Sequence, residues 1–328
     1  MMQIFTTMKT ILLLAVLVSV NFCSSTASAG GSSAAAPERV DPDSLRAVIK
    51  AELMEEMADE LQRLHPETPS VPESIEFAGK TYRFDTDWMY ERMDRELIAF
   101  TYMHTNSTLM LKRSARYFAQ VVPILKANGV PEDLKYLMAI ESNLDPKALS
   151  TSGAAGLWQF LKSTAPQYGL EVSAEVDERY NIEKETEAAC KYLKEAYAKY
   201  GDWMTVAASY NAGQGGISRR ISDQKQSSAF NLYLPEETSR YMFRILVAKM
   251  FFENPESFGF SVPEEDYYPY RAPRKVVTVD YSIPSLVDFA ADNGVTYADL
   301  RNANLWLIGT KLTNTKGKAY KIIIPATK

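Results

Sequence analysis

The sequence predicts a mainly α-helical protein that closes with a small β-α-α-β unit. Three observations predict it. Between Val40 and Phe252 the apolar residues recur at three- and four-residue spacing, and almost nothing alternates as a strand would. Asn-Gly, Gly and Pro break these runs at helix-length intervals. After Pro273 the pattern changes, and two short β-branched runs, KVVTVDY and KAYKIIIP, flank two helical stretches.

The totals limit what the chain can be. Its 328 residues are 46% hydrophobic, enough for a sizeable core in one or two domains. A net charge of −5 argues against nucleic acid as the main partner. The histidines are His65 and His104 and the cysteines Cys23 and Cys190, with no metal-ligand spacing among them. No metal, cofactor or disulfide framework is therefore expected.

The elements follow in order. Residues 1–29 have the shape of an export signal: Lys9, an apolar run from Ile11, and small residues at Ala27 and Ala29, where the cut is expected. The rival is a lipoprotein acylated on Cys23, which would attach the chain to a membrane such as the outer membrane. Either way the chain is exported, to the periplasm or cell envelope. Residues 30–71 read as a linker, GGSSAAAPERV, and then a helix over 41–65 that Asp43 or Ser44 caps and PETPSVPES breaks. Residues 72–260 read as one helical domain. Helices run from Thr86 to Asn128, and Pro131 with Glu132 and Asp133 opens the next one. Gly153 and Gly156 call for a sharp turn. TEAACKYLKEAYAKYGD (186–202) is a helix stopped by Gly201, with Cys190 a small buried hydrophobe inside it. MTVAASYNAGQGG (204–216) is a short helix with a glycine stop, and ETSRYMFRILVAKMFF (237–252) is apolar on most sides and so buried. Residues 261–273 form a Pro/Tyr-rich linker. The unit over 274–328 is basic: from Arg271 on, nine Lys/Arg stand against four Asp/Glu.

One residue breaks the pattern. In PEDLKYLMAIE, residues Leu134, Leu137, Met138 and Glu141 share one helix face. Three are apolar and the fourth is an acid, a type rarely buried without a partner. Glu141 is either a helix-end charge in solvent or a carboxyl kept partly dry for a purpose. Burial raises a carboxyl's pKa and holds its proton near neutral pH, as a general acid requires.

ESNLDPKALSTSGAAGLWQ, with SYNAG about fifty residues later, resembles the soluble lytic transglycosylase (SLT) family of lysozyme-like enzymes that act on bacterial peptidoglycan. The run from Pro72 to Phe252 resembles the membrane-bound lytic murein transglycosylase D branch through KRSARYF, LKYLMAIES, VDERYNI and AACKYL. The tail resembles a LysM module. Its usual glycine-aspartate-threonine is replaced by Tyr281-Ser282-Ile283-Pro284, so the likeness carries the tail's fold and not its glycan binding.

The resemblance implies a goose-type lysozyme-like fold and a peptidoglycan substrate. It implies Glu141 as general acid and then base, with the muramyl 6-hydroxyl attacking C1 to leave a 1,6-anhydro end. The absence of an obvious second carboxylate fits this. Asp145 sits beside Pro146 at the expected helix end, and Asp177 is a distant alternative. Ser150, Gln159, Tyr210, Asn211 and Tyr241 match the family's sugar-facing residues. Glu237 is either a site ligand or a helix-start charge, and Trp158 either a sugar-stacking wall or a core aromatic. Two other functions stay open: a hydrolytic muramidase on the same fold, and a non-catalytic wall-binding protein.

Overall fold

A computed structural model describes residues 41–64 and 68–326. The leader, with Ala29 and Cys23, lies outside the described residues. The chain divides after Ala58 into two compact units. Helix α1 (Pro42–Leu64) accounts for the described part of the first. Asp41 starts it, its carboxylate accepting from Ser44 N–H at 3.1 Å and Ser44 Oγ at 2.8 Å. Among the described residues no helix is long and apolar enough to cross a membrane.

Beyond α1, whose last turns already belong to the second unit, the chain forms an antiparallel hairpin, β1 (Ser74–Phe77) and β2 (Lys80–Arg83). This corrects the expectation of almost no strand before Phe252. Ala78 and Gly79 both take positive φ (50° and 82°), the geometry of the tight turns that match strand twist. Ile75, Phe77 and Tyr82 then bury on one side.

The expected helices follow: α2 (Asp87–Tyr102), α3 (His104–Ala127), α4 (Leu134–Ser142), α5 (Ile182–Tyr200) and α6 (Trp203–Ala212). Their ends obey local chemistry. Asn181 caps α5 through Lys184 N–H, and Asp202 caps α6 through Thr205 N–H. Gly201 closes α5 at φ 65°. Pro131 lies in a turn before α4 instead of in its first turn: Leu134 N–H bonds to its carbonyl at 3.1 Å, and the helix begins at Leu134. Gly213 stops α6 as expected, but a further helix, α7 (Gln214–Gln224), starts at once. Helix α8 (Glu236–Glu253) packs against α2, α4 and α6, which is why its sequence is apolar on most sides.

The tail has the expected order: β3 (Lys275–Val279), α9 (Leu286–Asp292), α10 (Tyr297–Ala303) and β4 (Tyr320–Ile324). The strands pair antiparallel from Lys275↔Ile324 to Val279↔Tyr320. Leu286, Ala290, Leu300, Leu307 and Ile322 build its separate core, and Val176 of the helical part is buried among them. The contact is backed by polar bonds. Asp177 N–H donates to the Trp306 carbonyl (2.8 Å), Ile308 N–H to the Glu175 carbonyl (2.9 Å), and Thr313 N–H to the Glu175 carboxylate (2.6 Å). The tail is thus fastened to the helical part through the 171–178 loop, which no local sequence pattern announces.

Candidate active site

Glu141 occupies the last turn of α4. Beneath it Leu134, Leu137 and Met138 are fully buried, the apolar stripe read from the sequence. The helix ends at once, because Asn143 and Leu144 turn left-handed (φ 51° and 53°) ahead of Pro146. The carboxyl is half-buried against α8, whose Tyr241 hydroxyl donates to Oε1 at 2.5 Å. Burial pushes the Glu141 pKa up to about 7. The Tyr241 bond pulls against that shift, the charge of Glu237 adds to it, and Arg244 opposes it.

The carboxyl opens on a cavity of about 370 Å³, lined also by Asn211, Glu236, Glu237, Arg240, Tyr241 and Arg244. Four predicted residues therefore meet: Glu141, Asn211, Glu237 and Tyr241. Glu237 stands both in the first turn of α8 and on the cavity wall. Tyr210 does not line the cavity. Its hydroxyl donates to the Trp158 carbonyl at 2.6 Å, and its ring meets Tyr192 and Phe160 edge-on.

Ser150 and Gln159 lie on the turn over 148–160, also outside the cavity lining. Ser150 Oγ accepts from Ala154 N–H at 2.9 Å, and Gln159 Nε2 donates to the Gly156 carbonyl at 2.8 Å. Arg179 holds this turn from behind, donating to the carbonyls of Gly153 (2.7 Å) and Phe160 (3.1 Å). Gly156 is required there, since a Cβ would lie 1.8 Å from the Arg179 carbonyl oxygen. Trp158 is fully buried, with its indole N–H on Thr186 Oγ1 at 3.0 Å, so it is a core ring and not a sugar wall.

The two other acids considered in the sequence are spoken for. Asp145 caps Lys147 N–H and faces Arg113 at 3.5 Å. Asp177 is buried in a bidentate pair with Arg179 (2.9 and 2.7 Å). Sequence reasoning missed Arg240, Arg244 and Glu96. Glu96 interrupts the apolar face Met89-Met93-Leu97-Phe100 of α2, the same irregularity that marks Glu141.

Comparison with known families decides what this scaffold is. Residues 123–233 match the transglycosylase SLT domain. The chain carries an SLT domain. Residues 275–328 match the soluble lytic transglycosylase C-terminal LysM-like domain. The SLT match includes Glu141, Ser150, Gln159, Tyr210 and Asn211, whereas Glu237 and Tyr241 lie beyond its end, on α8. The chain is similar to membrane-bound lytic murein transglycosylase D of Escherichia coli, 28% identical over 245 residues that cover 73% of this chain and 52% of that protein. It is also similar to peptidoglycan transglycosylase gp16 of Escherichia phage T7, 36% identical over 143 residues, or 42% of this chain and 11% of that protein. The chain thus spans about half the length of its Escherichia coli relative.

Proposed function

We infer that the protein is a peptidoglycan lytic transglycosylase in which Glu141 moves the proton. One observation carries this reading: Glu141 stands on the wall of a polar cavity with the Tyr241 hydroxyl donating to Oε1, where burial raises its pKa to about 7. The protonated carboxyl gives its proton to the oxygen of the β-1,4 bond between N-acetylmuramic acid and N-acetylglucosamine. The C1–O bond breaks and the leaving sugar departs as an alcohol. The muramyl O6 then bonds to C1 as its proton passes to the Glu141 carboxylate. The product ends in a 1,6-anhydro ring, no water is consumed, and Glu141 is protonated again.

The neighbours divide the remaining work. Tyr241 stabilises the carboxylate that forms between the two steps. The Asn211 amide is suited to an N-acetyl group on the cavity side. Ser150 and Gln159 are assigned to the glycan from the rigid turn, and Tyr210 braces that turn through the Trp158 carbonyl. The exported leader, ending at Ala29 or lipidated on Cys23, would put this chemistry in the cell envelope. The domain limits 72–260 and 274–328 are proposed on the same reading.

Glu237 favours a second reading. It shares the cavity with Glu141, and a second carboxylate is what a hydrolase needs to activate water. Digestion of peptidoglycan in heavy-oxygen water tests the choice. Anhydro ends without label are expected. Labelled reducing ends, lost in Glu237→Gln, would make the protein a muramidase.

A further inference from the structure

Arg240 and Arg244 stand one turn apart on α8, and both line the Glu141 cavity. Each is held from behind by one acid. Arg240 Nε donates to Oε1 of Glu96 at 2.6 Å, and Arg244 Nε donates to Oε2 at 3.0 Å. Glu96 is fully buried, while the two arginine side chains keep 25% and 40% of their surface exposed. A carboxylate buried this deeply is costly to keep and takes no part in the proton transfer. Its geometric effect is to fix two guanidinium groups side by side.

Each guanidinium spends its Nε–H on Glu96, and neither makes a further hydrogen bond among the described residues. Their Nη groups are left as donors at the cavity. Two fixed forks of this kind match a planar oxyanion better than a sugar hydroxyl. The neighbouring charge permits it. Glu236 is neutralised by Arg92 (2.8 Å) and Arg95 (3.1 Å). Beside Glu141 the cavity wall carries two acids, Glu236 and Glu237, so this pairing leaves Glu237 as the one acid there without an ion pair among the described residues.

We propose that Arg240 and Arg244, aligned by Glu96, form a subsite for a carboxylate carried by the muramyl residue of the glycan. This rests on the cavity being a peptidoglycan site. The carboxylate has two sources, the free lactyl ether of a peptide-free muramyl residue or the stem peptide attached there. The subsite discriminates substrates that differ in charge and not in sugar.

The test measures KM of the full chain on three substrates. These are peptide-free strands with free lactyl carboxylates, the same strands with every carboxylate converted to a methylamide, and strands that keep their stem peptides. Methylamidation is expected to raise KM about tenfold, the scale of a hydrogen-bonded charge pair. The Glu96→Gln/Arg244→Gln double variant leaves no unpaired buried acid, and its thermal melt reports that it folds. In it the KM ratio between free and amidated strands falls toward one. A lower KM on the peptide-free strands assigns the subsite to the lactyl carboxylate, and a lower KM on the peptide-bearing strands assigns it to the stem. Turnover of all three substrates by the wild type with equal KM overturns the subsite alone. No turnover of any strand by the wild type overturns the peptidoglycan reading itself, and the subsite with it.

Discussion

Lys318 in the tail places its Nζ 2.9 Å from Oε1 of Glu178, a side chain only 1% exposed in the helical part. The same ammonium reaches Glu171 Oε2 at 2.6 Å. Two residues along from Glu171, Ser173 begins the tight loop that sends Val176 into the tail's core. Arg179, next to Glu178, holds the turn that carries Ser150 and Gln159. The tail is therefore braced against the segment that holds the turn over 148–160.

Removing the cation should show this. Lys318→Met leaves the Glu178 carboxylate with the Glu171 N–H on Oε2 (2.8 Å) and, as its one cation among the described residues, the more distant Lys184 at 3.7 Å. The expected loss is about 1–3 kcal/mol of unfolding free energy, read from urea melts. Lys311→Met, which breaks an exposed 3.7 Å contact with Glu175, should cost within about 0.5 kcal/mol. Equal effects of the two changes would mean that Lys318 is an ordinary surface charge.

Activity should depend on the proton of Glu141. Its pKa near 7 means that the first step loses its acid as pH rises through that value, so kcat should fall on the alkaline side of about pH 7. The Tyr241 hydroxyl lowers that pKa by stabilising the carboxylate. Tyr241→Phe should therefore shift the alkaline limb to higher pH and reduce kcat. A limb that stays in place in this variant would remove Tyr241 from the proton path.

The same shift makes a stability prediction. Below about pH 4.5 the carboxyl is protonated in both states, and above about pH 7 it is ionised in both. Between the two the folded state alone holds the proton, so this group's contribution to stability falls as pH rises through that window. Glu141→Gln removes the dependence. The variant should match wild type near pH 4 and exceed it by on the order of 2 kcal/mol at pH 8, measured by thermal unfolding. No difference at pH 8 would mean that the carboxyl is fully solvated.

Two glycines on the same turn separate close approach from backbone freedom. Gly153 and Gly156 share a φ near 80°, but a Cβ meets nothing within 4 Å at Gly153 and lies 1.8 Å from a backbone oxygen at Gly156. Gly153→Ala should cost about 1 kcal/mol. Gly156→Ala should cost about 3 kcal/mol or more and impair Gln159 as well. Similar losses at both positions would contradict the close approach.

Much of this was legible in the sequence because it is local. Apolar periodicity and glycine stops gave the helices, and one acid in an apolar stripe singled out Glu141. The same rule applies to Glu96 and to Glu185, whose carboxyl is fully buried with Oε1 unpartnered. Only the folded structure tells which of these acids opens on a cavity. The hairpin over 74–83 escaped because its strands have four residues each, too few to set a period. Helix α7 escaped because it begins Gln-Gly-Gly, a poor start by propensity. The docking of Lys318 on Glu171 and Glu178 joins residues about 140 apart, beyond the reach of any local pattern.

The central claim is that Glu141 supplies and recovers the proton. Its most direct test is digestion of purified peptidoglycan by the wild type and by Glu141→Gln, with products read by mass spectrometry. The account predicts wild-type fragments lighter by one water than reducing-end fragments, and none above background from a folded Glu141→Gln variant. Equal release of fragments by the two proteins would contradict it.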